Sequence, residues 1–493
     1  MIGRNTFVNL KLAATVGSLL AIASSTATAG GTDRHWITSA GGTFDNSENW
    51  DGPVPNANTT AIFDLANTYT VTFDASAFSD RVLIGNGNVT YNLGGFSYSL
   101  INPITTTPSI VVGDLAKNFA QLTITNGTLF AKFTNIGEVA GSSGWLFVTD
   151  GSNLLNDFHL RVGHYGDGVF ELSNGSFADS FVTQIGIQDS ATGSAIITGL
   201  GTELLADSAL IVALEGTGNL SILDGATVTS GTAIIGEQLF SIGSVTVSGP
   251  GSSWTVDGPF DVGQTGQGSL EILDGGHVIA NSFVTVGTFL EPVQDPILGG
   301  VGEIIVDGEG SLLLVQGDLY IGFIAYGRWT LSSGGQVEVA GDVYRGDWLE
   351  GDKQPQTIIG ISSSSDYQTP AITSTGLIES FDTRIELVDG FVPGNGDSFE
   401  IAGAIAVDAF TFDLPLLPGS LVWEIQQDET SISLSVIALC PWDLDNSGSV
   451  GTSDLLELFA QWGRAGTADF DESGVVNTND LLILLGNWGP CPE

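Results

Sequence analysis

Two twelve-residue stretches late in the chain hold the residue types that do chemistry. Asp443-Leu444-Asp445-Asn446-Ser447-Gly448-Ser449-Val450-Gly451-Thr452-Ser453-Asp454 is the first. Asp469-Phe470-Asp471-Glu472-Ser473-Gly474-Val475-Val476-Asn477-Thr478-Asn479-Asp480 lies at an offset of 26 residues. Oxygen-bearing side chains at positions 1, 3, 5 and 12, with glycine at 6, are what a loop wrapped around a calcium ion requires. The glycine permits the sharp turn, position 7 offers a backbone carbonyl, and the apolar residue at position 8 pairs the two loops. Two such loops imply two calcium ions.

Each loop needs a rigid element at its C-terminal end to hold it. Leu455/Leu481, Phe459/Leu485 and Trp462/Trp488 recur at i, i+4 and i+7, which predicts a short helix after each loop with these residues as its buried stripe. Gly463 and Gly489 then stop the helices. Cys440 and Cys491, the only two cysteines, bracket the whole segment. In an exported chain such a pair is expected to form a disulfide.

This duplicated loop–helix unit resembles the type I dockerin, a small module with duplicated EF-hand-like calcium loops that docks onto a cohesin. The resemblance covers residues 440–493. It implies calcium ligands at Asp443, Asp445, Ser447, Ser449 (through its carbonyl) and Asp454, and again at Asp469, Asp471, Ser473, Val475 (carbonyl) and Asp480. It also implies partner recognition by Thr452, Ser453, Thr478 and Asn479, at loop positions 10 and 11, with a cohesin-like or other surface protein as partner. Serine at position 5 departs from the commoner Asp or Asn and should weaken calcium affinity. The bracketing cysteines depart from cellulosomal dockerins.

Catalytic chemistry has few candidates elsewhere. Asp157, His159 and Arg161 alternate along one expected strand face, with His164 and Asp167 beyond, and could serve a polysaccharide lyase. Glu171 and Glu271 are a candidate carboxylate pair for glycoside hydrolysis, which needs the two acids roughly 5–10 Å apart. Solvated outer faces supply such residues without any catalytic purpose. No G-x-S-x-G or H-E-x-x-H motif occurs, and the glycine-rich turns lack the strand–helix context of phosphate loops.

The rest of the chain is organised by repetition. From Ile84-Gly85 on, a hydrophobic–Gly pair or its near equivalent recurs at Gly85, Gly113, Gly137, Gly163, Gly186, Ala213, Gly236, Gly263, Gly287, Gly322 and Gly346. Short and long steps alternate, so the true unit is a pair of coils: Gly175, Gly225 and Gly275 are each 50 residues apart. One coil of the pair has a bare turn such as Leu223-Asp224-Gly225. The other carries G-x-G-[ST], as in Gly249-Pro250-Gly251-Ser252. Between turns, Leu220/Ile222, Val245/Val247 and Leu270/Ile272 put apolar pairs on one face of successive strands. The pattern is similar to the passenger-type parallel β-helix repeats of autotransporters. It predicts a mainly β chain: a right-handed parallel β-helix of about ten coils, roughly 50 Å long at ~4.8 Å per coil. A β-propeller is the alternative, disfavoured by the 25-residue half-repeat.

The expected boundaries are a signal peptide over 1–29, an N-terminal β-rich cap over 30–83 and repeats over 84–349. A C-terminal β-sheet cap over 350–438 and the calcium module over 440–493 complete the chain. Arg4, Lys11, the apolar run Leu12–Ala23 and the Ala27-Thr28-Ala29 cleavage site mark the signal. The run is too short to span a bilayer, so a secreted or cell-surface protein with no membrane span in the mature chain is expected. Trp36 and Trp50 are expected to plug the solenoid end rather than to stack on sugars. The break in period around Phe289–Gly300 predicts a loop leaving the side of the array. Net charge is −44, from 56 acidic residues against 12 Lys and Arg. Such a chain repels nucleic acid and anionic membranes and favours divalent cations. A non-catalytic scaffold or adhesion-type protein is the first functional reading. A polysaccharide-active enzyme is the second, and polysaccharide itself is a further candidate ligand.

Overall fold

The computed structural model describes residues 32–102, 107–288, 300–322, 325–346, 356–418, 421–445, 447–471 and 473–491. Between Arg34 and Asp413 the described strands stack as a parallel β-solenoid of about 14 turns. Each turn places one strand in a 15-stranded sheet and one rung in a second, 25-stranded sheet. The second sheet has more strands because many of its rungs are split in two. Ser253–Val256 and Phe260–Val262, for example, both pair with the single strand Thr227–Ile235. Where rungs stay whole, the ladder shifts register at the same place, between Leu155 and His159 and again between Ser180 and Val182. One line of irregularity therefore runs along the sheet.

Alternation along each strand fills the interior. In Thr217–Leu223 the buried residues are Gly218, Leu220 and Ile222. Leu220 lies between Ala195 and Val245, and Ile222 between Ile197 and Val247. Each interior aliphatic contributes about 1.5–3 kcal/mol by leaving water. Repetition of such columns, each coil packing on the next, makes the array stable.

The 50-residue pairing of coils has a hydrogen-bonding cause. In each bare turn two successive residues take positive φ, as at Asp224 (54°) and Gly225 (83°). This leaves a glycine N–H pointing at the next coil, buried at Gly225. The hydroxyl of the G-x-G-[ST] turn accepts it: Thr202 from Gly175 at 3.0 Å, Ser252 from Gly225 at 2.9 Å and Ser311 from Gly275 at 3.0 Å. One coil type has a donor to satisfy and the other supplies the acceptor. At the opposite corner the recurrent glycines have φ near +70°, and Ala213 holds the same conformation at 65°. A Cβ on Gly186 would lie 2.2 Å from the Thr217 carbonyl oxygen, so most of this column tolerates only glycine.

Both expected cap boundaries need correction. The ladders do not begin at 84: Thr60–Phe63 already pairs in parallel with Arg81–Ile84, and Thr68–Thr72 with Gly87–Asn92. The described part of that segment, from residue 32, is the first part of the solenoid, and its interior is dense in aromatic rings. Trp36 and Trp50 are buried there, edge to face at 5.2 Å, with Trp36 stacked on Tyr69. Their burial leaves no open aromatic face on either ring. Nor do the rungs stop at 349, since Gln356–Ile361 and Asp382–Leu387 continue the 15-stranded sheet. The cap proper is the antiparallel hairpin of Leu421–Gln427 and Ser431–Ala438, which pairs with Ser398–Gly403 and covers the end of the second sheet.

The period break reads differently at its flanks and within. Residues 289–299 lie outside the described residues. On either side the ladder is unbroken, because Gln267–Leu273 pairs directly with Val301–Asp307. The signal stretch 1–29 also lies outside the described residues. No helix among those described is long and apolar enough to cross a membrane.

Candidate metal centre

The C-terminal module has two helices, α1 (Thr452–Ala460) and α2 (Thr478–Gly486), each opening at the end of one loop. Position 12 of the loop is the third residue of the helix, where a carboxylate caps the free N–H groups. Asp454 Oδ2 accepts from the Gly451 N–H at 2.7 Å, and Asp480 Oδ2 from Asn477 at 2.8 Å. Each other oxygen reaches back into its loop. Asp454 Oδ1 accepts from Leu444 at 2.7 Å and Asp445 at 3.1 Å, while Asp480 Oδ1 accepts from Phe470 at 2.7 Å and Asp471 at 3.2 Å. Both side chains are fully buried. Burial opposes the charge on Asp454, but the N–H groups of Gly451, Asp445 and Leu444 outweigh it and hold the carboxyl below its ordinary range.

The front of each loop is drawn together by backbone donors. The Ser447 N–H donates to Asp443 Oδ1 at 3.0 Å and to Asp445 Oδ1 at 3.1 Å, and Gly448 donates to Asp443 Oδ2 at 2.7 Å. The second loop repeats this with Ser473 to Asp469 (3.1 Å) and Asp471 (3.2 Å) and Gly474 to Asp469 (2.8 Å). Carboxylate oxygens of Asp443, Asp445 and Asp454 thus lie within 4.8 Å of one another, as do those of Asp469, Asp471 and Asp480. The Ser447 hydroxyl is 3.1 Å from the Ser449 carbonyl oxygen, and Ser473 is 3.2 Å from that of Val475. All ten residues expected as ligands gather in two equivalent clusters. Arg464 is the only Lys or Arg in residues 440–493, so no built-in cation matches this charge. The donor set, hard oxygens with three carboxylates per loop, fits a calcium ion.

The disulfide forms as expected, Cys440 to Cys491, with Cα atoms 5.7 Å apart. The expected buried stripe holds only at Leu455 and Leu481, which are half-buried and pack on the module's core. Phe459, Trp462, Leu485 and Trp488 are each more than 40% exposed, while Leu458 and Leu484 are fully buried. Each helix packs by the face that carries its loop-closing aspartate, and Leu458 and Leu484 lie one turn beyond it. The opposite face holds Thr452, Ser453, Leu456 and Phe459 on α1, and Thr478, Asn479, Leu482 and Leu485 on α2, all exposed. Leu456 and Leu482, one turn past positions 10 and 11, are members of this face that the sequence pattern did not single out.

The catalytic candidates do not assemble. Asp157, His159 and Arg161 all stay off the buried side of their strand, but the ladder is irregular between Leu155 and His159, where Phe158 is exposed. His159 stacks on Phe133, and burial, with Arg161 nearby, pushes its imidazole down to about 4. Arg161 donates to Gln184 Oε1 at 3.1 Å. Glu171 and Glu271 share a column but are separated by Ile196, Ser221 and Thr246. Four rungs amount to roughly 19 Å, too far for paired acids. An open depression of about 380 Å³ near Glu271, Asp307 and Asp389 lies on the same sheet. No protein-family model matches the chain, and no curated protein matches it at significant similarity.

Proposed function

We propose that this protein is an exported, non-catalytic β-solenoid scaffold, tethered to a cohesin-like surface partner through a dockerin-like tail that binds two calcium ions. The observation that carries the reading is the duplicated cluster: three carboxylates within 4.8 Å, held by the same backbone donors in both loops. Calcium would offset most of the charge of each cluster, fix the loop and so fix the helix that starts at its tenth residue. Docking is supported by the two helix faces that leave Leu456, Phe459, Leu482 and Leu485 in water beside the exposed polar residues at positions 10 and 11. Exposed apolar side chains grouped with polar neighbours mark protein-binding surfaces. The solenoid then acts as a long, acidic spacer or display surface, and the dispersed acids Glu171 and Glu271 support no hydrolytic site.

Calorimetric titration of the full chain with calcium should give two ions bound, and the Asp443→Ala, Asp469→Ala double variant should give none. The calcium-loaded chain should bind an immobilised cohesin domain and be released by chelator. Absence of calcium heat overturns the reading of the tail. Reducing or unsaturated ends released from pectin or alginate, and lost in Arg161→Ala, would overturn the non-catalytic reading of the solenoid.

A further inference from the structure

We infer that the Cys440–Cys491 disulfide positions the first calcium loop and not the second, an inference that rests on the calcium reading above. The two loops are not closed in the same way, although their internal hydrogen bonds match. Each loop pairs at position 8 with the segment at the end of the other loop's helix. In the second loop the Val476 carbonyl accepts from the Gly463 N–H at 2.9 Å, and the Val476 N–H donates to the Arg464 carbonyl at 2.8 Å. In the first loop Ser449–Val450 pairs antiparallel with Gly489–Pro490, Val450 opposite Gly489. The 26-residue offset makes Gly463 and Gly489 equivalents.

The same offset shows what the cysteines replace. Cys440 corresponds to Gly466: the Cys440 carbonyl accepts from the Asp443 N–H at 3.0 Å, and the Gly466 carbonyl from the Asp469 N–H at 3.2 Å. Cys491 corresponds to Ala465. Around the second loop these two positions, Ala465 and Gly466, are neighbours joined by a peptide bond. Around the first loop their equivalents lie 51 residues apart in sequence and are joined by the disulfide. The cross-link does for the first loop what chain continuity does for the second.

Its grip reaches the metal ligand. The Cys491 N–H donates to the Gly448 carbonyl at 3.1 Å, and Gly448 in turn holds Asp443 Oδ2. Cys491 Sγ is itself 3.6 Å from Asp443 Oδ2. Opening the disulfide frees the 489–491 segment from a loop it otherwise meets only through a few backbone bonds. Asp443 and the turn at Gly448 then lose their outer support, while Asp469 and Gly474 keep theirs. Loss of such support behind a metal ligand costs roughly tenfold or more in affinity.

The test uses calcium alone as probe, with the full chain and calorimetric titration. In an Asp469→Ala background only the first loop binds; adding Cys440→Ser and Cys491→Ser should weaken that binding roughly tenfold. In an Asp443→Ala background only the second loop binds, and the same cysteine changes should leave its affinity unaltered. Far-UV circular dichroism at saturating calcium monitors α1 and α2 in both. If the cysteine variants fold poorly, reduction and reoxidation of the Asp469→Ala chain reads the same quantity, and reoxidation should restore the affinity. Equal loss in both loops, or loss in neither, overturns the inference while leaving two bound ions intact. No calcium binding by the oxidised wild-type chain overturns the calcium reading itself.

Discussion

The solenoid and the tail are stabilised by opposite means. Every solenoid rung meets a near-copy of itself one coil away, and its interior is a continuous column of aliphatic and aromatic side chains. Among its described residues the tail has five buried apolar residues, Val450, Leu458, Ala468, Val476 and Leu484, with a few half-buried neighbours, a small core for a 54-residue segment. What it has instead is six aspartates gathered in two clusters, of which only Asp454 and Asp480 are fully buried, and one disulfide. A domain with a long core can do without ions and cross-links; one without a core is built around them. The first region is a fixed body, and the second is conditional on its surroundings.

The largest expected effect breaks the two apart. Chelation should lower the stability of the tail by on the order of 8 kcal/mol relative to calcium at a thousandfold excess over its dissociation constant, about 4 kcal/mol for each loop. The solenoid transition should not move. Differential scanning calorimetry with and without chelator would resolve two transitions, with Trp462 and Trp488 reporting the tail by fluorescence. A single transition that shifts as a whole would mean the two regions unfold as one, and the contrast would fail.

How far each region could be read from sequence reflects the same contrast. The solenoid was legible through its corners, because positive φ at Gly137 or Gly186 admits little besides glycine and so leaves a mark. Its ends were not. Thr60–Phe63 and Gln356–Ile361 are rungs without the hydrophobic–Gly corner, and a parallel ladder demands only alternation, which many strands share. The two-coil unit was visible as a 50-residue spacing, but its cause, a hydroxyl answering a glycine N–H one coil away, lies between residues about 27 apart. In the tail, the two aspartate clusters were legible because the loop pattern fixes both residue type and spacing. The helix stripe misled because an exposed apolar face has the same period as a buried one. Phe459 and Trp462 continue the pattern that Leu455 begins, and only the packing of Leu458 shows which side is inside.

Acidity should move the two regions in opposite directions. Burial, opposed by a hydrogen bond from Gln238 and reinforced by Glu215 and Asp261, pushes the Glu237 carboxyl up to about 7 from an ordinary 4.5. Its Oε2 has no hydrogen-bond partner. A raised acid stabilises the folded state below its unfolded pKa, and that contribution is lost as pH rises through the folded value. Between pH 4.5 and 8 the solenoid should therefore lose about 2–3 kcal/mol from this residue. Glu237→Gln should flatten that slope in urea titrations of the solenoid transition. Asp454, held below its ordinary range, has the reverse sign, and its contribution to the calcium-free tail is lost as pH falls. Parallel slopes in the two transitions would argue against the assignment of either group.

The smallest expected effect asks whether the solenoid's pairing of coils is chemical or only statistical. Ser252 is buried, and its hydroxyl is the acceptor for the Gly225 N–H. Ser252→Ala leaves that donor buried without a partner at a cost of about 1–2 kcal/mol. Ser252→Thr keeps the oxygen, as Thr202 does one unit earlier for Gly175, and should cost much less. Chemical denaturation would separate the two variants, and calcium titration of the tail should be unchanged in both. Equal stability of the alanine and threonine variants would reduce the alternation to a habit of sequence. A clear gap between them would mean that each coil completes its neighbour across the stack, whereas each loop of the tail gathers its aspartates with its own backbone donors.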